Sequence, residues 1–476
     1  MSSPAAIIKT AESIASGLRP VTRPKACPRC ITSFMTGTLL KDPTTVIPLL
    51  QTKCHDFWDA LLGFVAYPWT PDTRLAVSGT LQATWLRCRS CHPGRRLVQR
   101  GTAISDFPFN GIYEVACTAL YMCITGYTMS SHRHEKGFGS KRGRWPCTVE
   151  QLFPYGPQST ITNLVSILAT RPEADFVLSA MLTVHRPLAL PSFSSEENKQ
   201  RIIAHIISRL NAAAAAANVD LSALRAPVLP SARDATVNRH TRACEFSALI
   251  IYQIGFGTDR EPRDLADFVR GHGLELFHAL DGVVSLYEDP ENTHIELTQL
   301  TTTLWTYLSL SPSAAQAGPA PPYARRWVNR LSSAVSSPYS ALRHFLGGQT
   351  MRRDCHGPGC GKGVHAKDTP GAFSRCARCR VVQYCSKECQ KADWRDPAFP
   401  HKELCPLLQE VFSFANTEMT HDEFAAACEA HKFPLKHVDR LISWCSPSHS
   451  SYNFAEGAIG RGFRQGKYHI VLSCSR

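Results

Sequence analysis

Residues 355–405 read CHGPGCGKGVHAKDTPGAFSRCARCRVVQYCSKECQKADWRDPAFPHKELC. Structural zinc takes four Cys or His ligands at about 2.0–2.3 Å, and closely spaced pairs supply them with little loss of loop entropy. Buried free cysteines are common in protein cores, but they need no pairwise spacing. The stretch therefore predicts zinc as the cofactor, with two ions per chain. Its seven cysteines and one histidine form four pairs: Cys355-x4-Cys360, Cys376-x2-Cys379, Cys385-x3-Cys389 and His401-x3-Cys405.

The reach of the chain indicates which pairs share an ion. Only five residues separate Cys379 from Cys385, too few for neighbouring pairs to fold easily onto one metal. Members of the last two pairs are four residues apart, so each pair can lie on one face of a short helix. We therefore predict alternating pairs. One site contains Cys355, Cys360, Cys385 and Cys389, and the other contains Cys376, Cys379, His401 and Cys405.

The run Tyr384-Cys385-Ser386-Lys387-Glu388-Cys389-Gln390, followed by Trp394, His401 and Cys405, resembles the MYND zinc finger, with Cys376-Ala-Arg-Cys379 as its central knuckle. The resemblance implies an interleaved two-zinc module that binds short, often proline-containing peptides of partner proteins. Such modules are often found in transcriptional regulators and in chromatin or assembly factors. In the family, positions matching Tyr384, Gln390 and Trp394 shape the surface around the peptide groove. Packing inside a tiny core is the alternative role of Tyr384 and Trp394.

Two features depart from the family pattern. The opening pair is C-x4-C, where the family usually has C-x2-C, so His356 is an alternative ligand to Cys355. The gap between Trp394 and His401 is also longer than usual, which lengthens a loop. A segment this small with few large apolar residues needs zinc to fold, so metal loss is expected to unfold the finger alone.

The charge of the chain narrows the range of partners. The formal net charge is +13, and residues 351–405 carry eleven Lys/Arg against six Asp/Glu. Two Zn²⁺ ions and seven thiolates reduce the charge of that segment to +2, because zinc ligands are deprotonated. This balance suits a peptide with an acidic flank. It is compatible with nucleic-acid contact but does not indicate it, since no recognition helix with clustered basic residues stands out.

The cysteine content and the N-terminus bear on location. The chain has 19 cysteines, but its first residues lack the long apolar run of a secretory signal. The same residues show only a weak likeness to a mitochondrial presequence. No apolar run approaches the ~18 residues that span a bilayer. We therefore expect reduced thiols in an intracellular protein, nuclear or cytoplasmic, that is not secreted and has no membrane partner.

Most of the remaining chain has helical periodicity. The clearest case is Glu196–Ala217, where five Ile and Leu residues mark one face. We predict a mainly α fold with an irregular helical N-terminal region, compatible with a solenoid, followed by the finger and a short helical C-terminal segment. The predicted domains are an N-terminal mixed or helical region (1–150), a helical scaffold (151–347), the MYND-type finger (351–405) and a C-terminal helical extension (406–476). Further helices are predicted at Ile161–Thr170, Glu173–Val184, Cys244–Ile254, Leu265–Tyr287, Ile295–Leu310, Phe424–His431 and Leu435–Trp444, with a linker at Ser311–Pro322 and a terminal strand at Lys467–Cys474.

Two more C-x2-C pairs, Cys27/Cys30 and Cys88/Cys91, make a third zinc site conceivable. The stretch between the two pairs is far longer than the roughly 15–20 residues of a compact zinc ribbon, which argues against it. The basic segment His132–Arg144 is predicted to be a solvated loop, with a nuclear-localisation or phosphate-contact patch as the alternative.

No catalytic constellation is found, so the chain is predicted not to be an enzyme. It is predicted instead to be an adaptor or regulatory protein that docks short peptide motifs through the finger. The alternative is a protein lysine methyltransferase of the SET/MYND type. That class needs an Asn-His-Ser-Cys-like stretch after the finger, and the short sequence that follows Cys405 contains none.

Overall fold

The computed structural model describes residues 3–91, 107–125, 143–224, 230–257, 264–288, 290, 294–309, 314–326, 329, 337–351, 355–360, 362 and 373–445. These residues are helical apart from loops and two strands of two residues each, which confirms the mainly α class. The chain divides into two compact units. Unit 1 contains Met1–Ala226 and Ala235–Gly257, and unit 2 contains Pro227–Asp234 and Thr258–Arg476.

Several of the first eleven helices have a clear sequence signal at their start. Proline occupies the first turn of several, where its missing N–H costs nothing. α2 continues into a π-helical turn, Met35–Leu39. Their bounds are α1 Pro4–Leu18, α2 Pro28–Phe34, α3 Pro43–Lys53, α4 His55–Val65, α5 Pro71–Arg87, α6 Phe107–Thr125, α7 Val149–Leu152, α8 Pro157–Ile167, α9 Ala174–Phe193, α10 Glu196–Ala223 and α11 Pro230–Phe256.

Helix α6 is the centre of the N-terminal packing. It contacts α2, α3, α4, α5 and α9, so the packing joins helices that are far apart in sequence. Phe109, Ile112 and Tyr113 are fully buried on it. Nearby, the buried ring of Trp58 stacks on Trp145 with a 5.8 Å centroid separation.

Helix α10 bears on one sequence expectation. In the described part of the chain, it is long and apolar enough to cross a membrane by length and composition, although no such run was expected. Its apolar face packs inside unit 1, where Ile202, Ile203, Ile206 and Leu210 are buried. Burial of that face is also what a core helix would show.

The helices of unit 2 depart from prediction at two points. The predicted helix Leu265–Tyr287 is two helices, α12 (Asp264–Phe268) and α13 (Gly273–Val284), with Gly271 between them at φ 86°. A left-handed residue of this kind ends a helix, and glycine adopts it without strain. The predicted linker Ser311–Pro322 contains the short helix α15 (Ala314–Ala317), which contacts α13 and α14 (Ile295–Ser309).

The remaining elements surround the finger. They are α16 Pro338–Met351, β1 Ser374–Arg375, β2 Gln383–Tyr384, α17 Lys387–Trp394, α18 His401–Phe414, α19 His421–Ala430 and α20 Leu435–Cys445. A capping box between Thr420 and Glu423 starts α19. Helix α18 starts at a predicted zinc ligand and continues across the predicted domain boundary at residues 405 and 406.

One hydrophobic core joins α16, the finger and α18–α20. It contains Leu342 and Leu346 from α16, Val382 from the finger, and Leu408 and Leu441 from the C-terminal helices. We call residues 338–445 the C-terminal module. A polar contact also ties α16 to the end of α20, because Gln349 Nε2 donates to the Cys445 carbonyl at 3.1 Å.

Some sequence predictions fall outside the described residues. They are the terminal strand Lys467–Cys474 and nearly all of the basic loop His132–Arg144.

Candidate functional site

A small antiparallel hairpin forms the centre of the finger. β1 pairs with β2 through Ser374 opposite Tyr384 and Arg375 opposite Gln383. The Cys376–Cys379 knuckle lies in the turn between them, where Arg380 adopts a left-handed φ of 58°. These two-residue strands were not predicted, because they are too short to show an alternating pattern.

The first predicted ligand set comes together around one point. The sulfurs of Cys355, Cys360, Cys385 and Cys389 all lie within 4.8 Å of one another. Cys385 Sγ is 3.6 Å from Cys360 Sγ and 3.5 Å from Cys389 Sγ. Zn–S bonds of about 2.3 Å in a tetrahedron give sulfur separations of about 3.8 Å, so the four thiols fit one zinc ion.

The second predicted set fits a zinc ion in the same way. Cys376 Sγ lies 3.7 Å from Cys405 Sγ, and Cys379 Sγ lies 3.7 Å from His401 Nε2. All four residues are buried. The alternation predicted from chain reach is therefore the arrangement that the fold adopts.

Two helix starts position half of the ligands. Ser386 is the N-cap of α17, and its hydroxyl accepts a 3.2 Å hydrogen bond from the Cys389 backbone N–H. This cap fixes Cys389 one turn after Cys385. His401 is the first residue of α18, and Cys405 follows one turn later on the same face.

The C-x4-C departure is explained by two glycines and a histidine. Gly359 takes a left-handed φ of 67°, and a Cβ on Gly357 would lie 2.6 Å from Cys389 Cβ. His356 Nδ1 accepts from the Gln383 N–H at 3.2 Å, so it braces the hairpin. Cys355 Sγ, by contrast, points into the ligand set and accepts N–H groups from Gly357 and Cys385, each at 3.3 Å.

Burial shapes the chemistry of the ligands. It raises the pKa of the Cys355 and Cys379 thiols to about 12 and lowers the pKa of His401 to about 4. A neutral imidazole is the form that binds a metal. Buried thiols lose their protons when a cation compensates the thiolate charge. The donor set therefore suits zinc, and each tetrahedron is completed by protein atoms.

A buried polar pair lies beside the histidine ligand. The Tyr384 hydroxyl donates to Asp393 Oδ2 at 2.6 Å, and this oxygen lies 3.9 Å from His401 Nδ1. Burial and then the bond to Asp393 raise the pKa of Tyr384 far above its usual range, so the hydroxyl keeps its proton. The carboxylate lies on the side of the ring nitrogen that is turned away from the ligand set, at a distance too long for a hydrogen bond.

The three predicted peptide-contact residues have different surroundings. Tyr384 is only 1% exposed, which matches its alternative role in core packing. Trp394 is half-buried, and its ring meets His401 edge-on at 5.8 Å. Gln390 is half-buried on α17. The latter two remain available at the surface.

Sequence reasoning missed a groove beside the second metal set. Arg375, Arg378 and Arg380 are exposed around it, and the half-buried side chains of Val381 and Phe412 are its apolar part. Its volume is about 450 Å³. We call it the basic groove. The close spacing of the three arginines was the available signal, but the contribution of α18 could not be anticipated.

Comparison with known proteins identifies this region. Residues 355–405 match the family model of the MYND finger. These residues are a MYND finger. The rest of the chain matches no family model. The finger gives the protein a zinc-binding domain of a kind that generally mediates contacts between proteins.

One curated relative is similar over a short segment. Dauer abnormal formation protein 25 of Caenorhabditis elegans is 45% identical over 60 residues, which are 12% of this chain and 14% of that protein. The chain thus matches only a small part of the length of this relative. No solved structure matches the chain.

Proposed function

We propose that this protein is a non-catalytic adaptor whose MYND finger docks a short peptide of a partner protein. The observation that carries the proposal is that both ligand sets of the finger are filled by four protein side chains each. A zinc ion held in this way has no open position for water or substrate, so its role is structural. The finger would then act through the side chains on its surface, which can bind a peptide.

The basic groove indicates what kind of peptide fits. Its apolar residues, Val381 and Phe412, can receive an aliphatic or proline side chain, and its arginines can pair with carboxylates. A peptide with an acidic flank beside an apolar or proline-containing core complements both features. Gln390 and Trp394 on α17 offer a second, less charged surface for the same peptide class.

Binding of synthetic peptides to the full chain tests this proposal. A proline-containing core is made with flanks of Asp/Glu, Ser or Lys, and binding is followed by fluorescence anisotropy. We expect the acidic-flanked peptide to bind best. Arg378→Ala should weaken it about tenfold or more, since surface anchors commonly contribute about 1–4 kcal/mol.

Further variants show whether the peptide binds at the basic groove or at the α17 surface. Arg242→Ala removes an exposed arginine from α11 and should leave binding unchanged. Gln390→Ala and Trp394→Ala report on the α17 surface while zinc content stays the same. Binding that ignores the flanks and all of these substitutions, or that survives loss of the zinc ligand Cys385, would overturn the proposal.

The alternative, a lysine methyltransferase, needs a separate assay. Full-length protein is incubated with labelled methyl donor and histones or cell extract. We expect no transfer, because residues 406–476 lack the required motif and the described ones among them lie in α18–α20 and their connections. Robust transfer that no finger-ligand substitution abolishes would place an active site elsewhere in the chain. An intracellular location, nuclear or cytoplasmic, accompanies the adaptor proposal.

A further inference from the structure

We propose that Cys27, Cys30, Cys88 and Cys91 hold a third structural zinc ion, in the N-terminal helical region. The long separation of the two pairs in sequence argues against such a site. The fold overcomes that separation, because it brings all four sulfurs to within 4.8 Å of one another. The protein then carries three zinc ions, one more than the finger alone provides.

The sulfur geometry matches that of the finger. Cys27 Sγ is 3.6 Å from Cys91 Sγ, and Cys30 Sγ is 3.7 Å from Cys88 Sγ and 3.1 Å from Cys91 Sγ. The corresponding contacts in the finger are 3.5–3.7 Å. The 3.6 and 3.7 Å separations in the N-terminal cluster and those in the finger are close to the edge of a tetrahedron with Zn–S bonds of about 2.3 Å, and the Cys30–Cys91 separation is shorter.

The surroundings of the thiols repeat those of the finger as well. One thiol is buried and three are half-buried, the same pattern as in the first finger site. The backbone N–H groups of Arg29 and Cys30 interact with Cys27 Sγ, as those of Arg378 and Cys379 do with Cys376 Sγ. The Cys-Pro-Arg-Cys segment thus forms the same kind of knuckle as Cys-Ala-Arg-Cys.

Two helix ends create the site. Cys27 is the N-cap of α2 and Cys30 lies in its first turn, while Cys88 is the C-cap of α5 and Cys91 lies in the turn that follows. α2 and α5 contact each other, and both pack on α6. A metal ion at this site links the start of α2 to the end of α5.

Disulfides do not account for this arrangement. A disulfide requires sulfurs at about 2.05 Å in separate pairs. Here Cys30 Sγ approaches both Cys88 and Cys91, so the four thiols share one centre. Four thiolates around one Zn²⁺ leave a charge of −2, and the exposed residues Arg29, Arg87 and Arg89 lie next to ligands in sequence. Soft thiolate donors select zinc over calcium or magnesium.

Elemental analysis and native mass spectrometry of the full chain, purified under reducing conditions, test the proposal. We expect three zinc ions in the wild type. The double variant Cys88→Ser/Cys91→Ser should contain two, while Cys385→Ser should lose finger zinc and keep the N-terminal ion. Cys147→Ser is the matched control and should contain three, because Cys147 is a half-buried thiol outside all three clusters.

X-ray absorption at the zinc edge gives a second measurement that needs no variant. Three sites supply eleven sulfurs and one nitrogen, whereas the finger alone supplies seven sulfurs and one nitrogen. Two zinc ions in the wild type, iron in place of the third zinc, or three zinc ions retained by the double variant would overturn the proposal. An intact mass lowered by about 2 or 4 Da would reveal disulfides and overturn it equally.

Discussion

Tyr384 donates a 2.6 Å hydrogen bond to Asp393 Oδ2, and both residues are buried. This bond joins β2 of the finger hairpin to α17. The same carboxylate oxygen lies 3.9 Å from Nδ1 of His401, whose Nε2 faces the second ligand set. One tyrosine hydroxyl therefore fixes the position of the carboxylate that lies beside a zinc ligand.

Tyr384→Phe should destabilise the finger while leaving every ligand in place. The substitution removes a donor from a buried carboxylate, which typically costs about 1–3 kcal/mol. We expect a lower midpoint of urea unfolding and faster loss of zinc to a competing chelator. Tyr307→Phe is the control, since Tyr307 is 47% exposed. Equal chelator kinetics in wild type and Tyr384→Phe would show that the bond does not support the metal site.

Gly357→Ala should damage the first finger site. An added Cβ would lie 2.6 Å from Cys389 Cβ and 3.2 Å from Cys389 Cα, so the knuckle or the start of α17 must move. Overpacking of this kind costs about 1–3 kcal/mol. Thermal unfolding and zinc content measure the effect.

The control for that substitution is Gly348→Ala in α16, where an added Cβ meets nothing within 4 Å. It should be neutral or stabilise the helix by about 1 kcal/mol. If the two alanine variants behaved alike, close packing against Cys389 would not be the reason for glycine at position 357.

Loss of the finger zinc should loosen the C-terminal module beyond the finger. Sequence reasoning expected metal loss to unfold the finger alone. The finger, however, shares its core with α16 and α18–α20, and α18 begins at a ligand. In Cys385→Ser, we expect faster amide exchange in α16 and α18–α20, with α6 and α9 unchanged. If amide exchange became faster only in residues 355–405, metal loss would unfold the finger alone, as the sequence predicted.

The finger was predictable because its signal is local. All four pairs lie between Cys355 and Cys405, and the reach of the chain between neighbouring pairs decides their alternation. The groove and the N-terminal thiol cluster depend on tertiary packing. Val381 and Phe412 line one groove because of the position of α18, and Cys30 lies near Cys88 because α2 packs against α5. The long sequence separation of the two N-terminal cysteine pairs argued against a shared site, but helical packing brings residues together that are far apart in sequence.

Two histidines pack together in the C-terminal module. The rings of His344 on α16 and His421 at the start of α19 stack with centroids 6.3 Å apart. Burial lowers the pKa of His344, and His421 and Arg343 lower it further. Burial and Arg343 also lower the pKa of His421, against a smaller opposing effect of Asp422. The folded module therefore favours both neutral rings.

Acid should destabilise this module before carboxylates titrate. Because the folded pKa values lie below the unfolded value of about 6.5, the unfolded chain takes up protons first. The histidine contribution is complete above about pH 6.5 and is lost as the pH falls toward the folded values. We expect the melting temperature to fall between pH 7.5 and 5.5, and to fall less in His344→Gln/His421→Gln. His278→Gln, at an exposed position on α13, should keep the wild-type slope. Zinc content measured at each pH separates this effect from metal release, and identical slopes in wild type and the double variant would contradict the prediction.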